Sequence, residues 1–140
     1  WSPADRQRFE AAFNLPQENQ VVQLDHGENM SSDAVCQDKP QECAEANLDV
    51  QYMMAMSPWS RMGYFYMNSS STFFDFLYHF VTDLDGMENL PHVISISYGM
   101  AEAGVSPTAA VAFNRKAQAL GLQGISIVVA SGDDGAASEL

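Results

Sequence analysis

Glu45 and Asp49 stand four residues apart in the run Glu45-Ala46-Asn47-Leu48-Asp49-Val50-Gln51-Tyr52, which reads as helix. Four residues is about one turn, so both acids share a face. On an exposed helix, like charges at that spacing are unfavourable by a few tenths of a kcal/mol. At the edge of a core or in a cleft the effect is larger. Repulsion and desolvation there keep one acid protonated and push the two titrations apart. A carboxyl tuned in that way serves as a general base or acid. The same face continues through Tyr52, Met53 and Met56, which are core-type residues, so the acids are expected at such an edge. A plainer account also fits. Glu45 lies in the first turn, where the helix dipole favours an acid, and Asp49 fits a solvated or capped side chain.

A second acidic feature closes an apolar strand. Val128-Val129-Ala130 runs into Ser131-Gly132-Asp133-Asp134-Gly135-Ala136. Open parallel sheets bind ligands at the carboxyl ends of their strands, and glycines on both sides allow a tight turn. A protonated Asp133 could donate a hydrogen bond to a developing oxyanion. Ionised, Asp133 and Asp134 could instead hold Mg2+ or Ca2+ through oxygen. They also fit an ordinary Asp-Gly turn. His26, His79 and His92 lack metal-ligand spacing, and the cluster Phe73, Phe74, Phe76, Leu77 and Phe80 reads as core.

The elements that must position these residues alternate between helix and strand. Ser2-Pro3-Ala4-Asp5 combines an N-cap, a proline at the first helical position and an acid three residues after the cap. A helix is expected from there to Phe13, ending at Asn14-Leu15-Pro16. Val21 to Leu24 reads as a strand, and Asp25 to Glu42 as a polar loop. Helix resumes near Glu42 and runs to Met56. Gly63 to Met67 is a strand, and Ser71 to Leu84 a Phe-rich helix broken by Asp85-Gly86. His92 to Tyr98 is a strand. Ser106-Pro107 caps a helix through Leu120 that Gly121 stops. Ile125 to Ala130 is the last strand. Near-continuous apolar strands separated by helices imply an α/β fold with a parallel sheet covered on both faces.

Composition limits the partners. With six Lys and Arg against eighteen Asp and Glu, the net charge is −12, so neither nucleic acid nor an anionic membrane is an expected partner. No apolar run is long enough to span a bilayer. The 46% apolar content argues for a packed core rather than disorder. Cys36 and Cys43 flank the polar stretch before the carboxylate helix; a short disulfide loop and two free thiols are equally open. Asn29-Met30-Ser31 and Asn68-Ser69-Ser70 are glycosylation triplets that lend weak support to secretion.

In combination the motifs resemble the sedolisins, the serine-carboxyl peptidases. Glu45-Ala46-Asn47-Leu48-Asp49 resembles the family's Glu-x-x-Leu-Asp signature, and Leu48-Asp49-Val50-Gln51-Tyr52 is similar to the tripeptidyl-peptidase branch. Pro91-His92-Val93-Ile94-Ser95-Ile96-Ser97-Tyr98-Gly99 resembles the family's Pro-x-Val-x-Ser-x-Ser-Tyr/Trp-Gly strand. Ala130-Ser131-Gly132-Asp133-Asp134-Gly135-Ala136 is similar to its Ala-Ser-Gly-Asp-Ser-Gly-Ala turn. The resemblance runs from about Cys43 to Ala137, and loosely back to Pro3.

It implies a subtilisin-like parallel sheet flanked by helices on both faces, and acid-active cleavage of a peptide or protein substrate, with removal of tripeptides as one expected mode. It implies Glu45 as general base, Asp49 as the acid that orients it, and Asp133 as the oxyanion-stabilising acid, all converging on one cleft. A lysosomal or secreted, acidic compartment follows. Residues 1–140 depart from the family pattern in three ways. Asp134 stands where a Ser is usual. The Ser-Gly-Thr-Ser nucleophile motif is absent. The first central strand would precede Trp1. The family's Ca2+ site would lie beyond Leu140, so no cofactor is expected within this chain. The expectation is an incomplete peptidase domain, inactive alone and poorly soluble through an unpaired sheet edge. Two rivals remain: a non-catalytic interaction module on the same fold, and a divalent-metal-binding α/β domain built on Asp133 and Asp134.

Overall fold

In a computed structural model, residues 1–17, 21–25, 31–66, 84, 87, 90–99 and 101–137 are described. The expected helix over 71–84, its Phe cluster, His26, His79 and both glycosylation asparagines lie outside that set, apart from Leu84, which is helical and buried. The chain is mixed α/β and divides into two units, Trp1–Met67 and Asn68–Leu140.

In the first unit, α1 (Pro3–Ala12) leads to β1 (Val21–Asp25), α2 (Asp33–Asp38), α3 (Pro40–Met56) and β2 (Met62–Tyr66). β1 and β2 pair in parallel, from Val21 opposite Met62 to Asp25 opposite Tyr66. Two parallel strands need a crossover, and α2 with α3 supplies it. The start of α1 is as the sequence implies: the Ser2 hydroxyl accepts from the Asp5 backbone N–H and Pro3 takes the first position. Its end is a Schellman turn. The N–H of Leu15 donates to the Glu10 carbonyl and that of Asn14 to the Ala11 carbonyl, with Asn14 at φ 53°.

The stretch Asp25 to Glu42 is not all loop. Ser32 caps α2 by accepting from the Val35 N–H, and Cys36 and Cys43 are disulfide-bonded, tying α2 to the first turn of α3. A six-residue helix is too short to stand alone. The crosslink supplies what its polar sequence lacks, and closing a loop of that size contributes about 2.5 kcal/mol in the chain-entropy account. α3 begins at Pro40, two residues before the expected Glu42, because proline fits the first helical position.

A polar network also gathers the three helices. Asp33 Oδ1 accepts from the Ser2 hydroxyl at 2.7 Å and from the Ala4 N–H at 2.9 Å. The Ala4 N–H, and then the Ser2 hydroxyl, hold the Asp33 carboxyl below its ordinary range; desolvation opposes them and the Arg8 charge adds to them. The folded carboxyl therefore keeps its charge to lower pH than an unfolded one. Its contribution is complete above the ordinary value and is lost as pH falls through the depressed one. Ser2→Ala is expected to lower stability by about 1–2 kcal/mol, because a buried cap is lost. Asp33→Ala is expected to lower the melting temperature at pH about 6, with the difference closing only below the ordinary aspartate value of about 3.9. Thermal melts across pH check both.

In the second unit, β3 (Val93–Ile96) and β4 (Ser126–Val129) pair in parallel across α4 (Pro107–Leu122). Ser106 caps α4 by accepting from the Ala109 N–H. Gly121 does not stop this helix. α4 runs to Leu122 and ends in a second Schellman turn at Gly124, whose φ of 84° suits glycine. There the Ile125 N–H donates to the Leu120 carbonyl and the Gly124 N–H to the Gly121 carbonyl. Leu120 and Ile125 meet in the core with Leu84, Ile94 and Ile96, the hydrophobic contact typical of this cap.

Among the described residues, the strand pair of this unit is covered on one face. Ile94, Ile96 and Ile127 face the core, whereas Val93 and Val128 are exposed on the other side. Each strand carries one serine, Ser95 or Ser126, among apolar residues, and α4 with Leu84, Met87 and Leu90 covers one face of the pair.

Candidate functional site

α3 carries Glu45 and Asp49 and is oriented by its apolar stripe. At 3.6 residues per turn, Cys43, Ala46, Val50 and Met54 share one side. Val50 and Met54 are buried with Trp1 and Met62, and Ala46 packs against them. Glu45 and Asp49 lie outside that stripe, each half-buried, with Asp49 on its flank beside Ala46. The sequence reading placed the core along Tyr52, Met53 and Met56, and the structure reverses it. Tyr52 is 57% exposed and Met56 84%, whereas Met54 is 4%. Both stripes are apolar and helically spaced, so periodicity alone does not separate them. The Trp1–Met62 cluster selects the one that includes Val50.

The acid-bearing face is bounded rather than bare. The Tyr52 ring lies 5.4 Å from Phe9, and Phe9 lies 4.8 Å from Phe13, both pairs tilted. Such geometry suits aromatic rings. One turn beyond Asp49, α3 thus leans on α1 through Tyr52. The result is two half-buried carboxylates about 5–6 Å apart at Cβ, flanked by apolar surface.

Asp133 belongs to the second unit. β4 ends at Val129, and the chain turns through Gly132 and Gly135, at φ 83° and 68°, before a 3-10 turn at Gly135–Ala137. No Cβ clash would exclude a side chain at either glycine. Their positive φ is the requirement, and it favours glycine. The turn carries Asp133 and Asp134 at the carboxyl end of β4, exposed.

No family model matches the chain, and no curated protein matches it. Among the described residues, no group of three or more His, Cys, Asp or Glu is placed to hold a metal ion. Asp133 and Asp134 thus have no third ligand among them, and His92 is an exposed residue before β3. No helix of the described residues is long and apolar enough to cross a membrane.

Sequence reasoning missed a residue that hydrogen-bonds α3 to the start of α1. Asn47 lies between the two acids in the chain and hydrogen-bonds both Ser2 and Asp5. Its sequence signal is weak: an asparagine inside a helix, where its propensity is poor.

Proposed function

We propose that this chain is part of the catalytic domain of an acid-active serine-carboxyl peptidase of the sedolisin type, with a subtilisin-like fold and a peptide or protein substrate. The observation that carries the reading is the placement of Glu45 and Asp49 one turn apart on α3, outside its buried stripe. Asp133, in its glycine turn at the carboxyl end of a parallel strand, adds to it. Glu45 takes the proton of a serine hydroxyl as that oxygen bonds to the scissile carbonyl carbon. Asp49 orients Glu45. Asp133, protonated, donates to the oxyanion as it forms. As the tetrahedral intermediate collapses, the peptide C–N bond breaks and Glu45 returns its proton to the leaving amine. Attack by water on the acyl-enzyme, through the same base, regenerates the serine. A carboxylate base and a carboxylic-acid donor coexist only in acid, which sets the compartment as lysosomal or secreted. The serine lies in the parent polypeptide outside residues 1–140.

The exposed Tyr52, Met56 and Trp59 also suit an interaction module on the same fold. A peptide-cleavage assay separates the two. The parent polypeptide is expected to cleave peptides at pH about 4 and to lose activity by pH about 7, as a carboxylic-acid donor ionises. Residues 1–140 alone are expected to cleave none. Cleavage by residues 1–140, or a parent inactive at every pH, would overturn the proposal.

A further inference from the structure

We infer that Asn47 is a positioning residue for Glu45 and Asp49, an inference that rests on the catalytic reading of those acids. Asn47 is two residues from each, about 3 Å along the helix axis. Its Oδ1 accepts the Ser2 backbone N–H at 2.7 Å, and its Nδ2 donates to Asp5 Oδ2 at 3.2 Å. The amide thus grips the first turn of α1 at two points, through an acceptor and a donor. Each point is itself held. Ser2 donates its hydroxyl to Asp33, and Asp5 Oδ1 takes the Arg8 guanidinium at 3.1 Å.

Two directional contacts fix the rotation and axial position of the middle of α3, one turn beyond the Cys36–Cys43 crosslink at its start. The apolar cluster of Trp1, Val50, Met54 and Met62 is non-directional and permits small slides. A rigid helix passes the setting to the residues on either side of Asn47. Asparagine is a poor helix former, so packing alone would favour alanine or leucine at this half-buried position. Carboxyl groups that must meet a reacting hydroxyl are sensitive to displacements of about 1 Å.

The test compares Asn47→Ala with Ser2→Ala in the parent polypeptide. Ser2→Ala breaks the cap and the Asp33 contact but leaves the Ser2 N–H on Asn47. Asn47→Ala is expected to lower kcat for peptide cleavage in acid about tenfold with KM nearly unchanged. Ser2→Ala is expected to keep kcat despite an equal or larger drop in melting temperature. Activity that follows melting temperature alone in both variants would overturn the inference. Asn47→Asp retains the acceptor for Ser2 and, when protonated, a donor for Asp5. It is expected to recover kcat in acid, and it carries the test should Asn47→Ala not fold. A second readout is independent of turnover. Carbon-detected spectra at one fixed pH are expected to show the Glu45 and Asp49 carboxyl resonances displaced by Asn47→Ala and not by Ser2→Ala; unchanged resonances would overturn the inference. A wild-type parent that cleaves no peptide sinks the peptidase reading, and the spectra still decide the role of Asn47.

Discussion

Glu45→Gln in the parent polypeptide is expected to reduce kcat for acid peptide cleavage by on the order of a thousandfold, with the fold intact. The amide has nearly the shape of the carboxyl but cannot accept a proton, and general-base catalysis contributes about 10²–10⁴-fold. Glu45 is half-buried on the outward face of α3, away from the Val50 and Met54 side, so the exchange disturbs little packing. Stability is therefore expected to change by less than about 0.5 kcal/mol. Steady-state kinetics beside a thermal melt checks both halves. Near-normal turnover would remove Glu45 from the role of base, and a large loss of stability would make it a structural acid.

Met54→Ala is expected to destabilise the first unit by about 2–5 kcal/mol, the range for deleting a buried methionine side chain. Met56→Ala, two residues away and 84% exposed, is expected to change stability by less than about 0.5 kcal/mol. Urea unfolding of the two variants reads the contrast directly. It also determines which side of α3 is core. If Met56→Ala were the costly one, the acids would stand on the packed face, and their openness to a substrate would be lost. The two results are linked, because the face that Met54 buries is what leaves Glu45 and Asp49 outward.

Much of this fold is written locally. Ser2-Pro3 starts α1 and Ser106-Pro107 starts α4, because each supplies a side-chain acceptor and a pre-set φ to backbone groups a few residues away. The strands β1 to β4 were readable from their apolar runs, within one residue at every end except the last of β3, where Tyr98 overshoots Ile96 by two. The pairing of Glu45 with Asp49 needs only helical spacing, and the exposed acidic turn needs only its glycines. Those features depend on neighbours in sequence, so sequence suffices for them.

What tertiary structure decided concerns partners distant along the chain. Helix α2 reads as loop because its stability comes from a crosslink to Cys43 and from Asp33 bonding across to α1. The stop of α4 moved from Gly121 to Gly124 because Ile125 has to reach Leu120 in the core, and that requires the left-handed residue just before it. Val93 and Val128 are apolar yet exposed, since apolar character does not state which face a helix will cover. On α3, two apolar stripes compete on equal terms in the sequence. Trp1, far from α3 in the chain, and Met62, on the strand that follows it, settle which one is buried, and so leave Glu45 and Asp49 outside it.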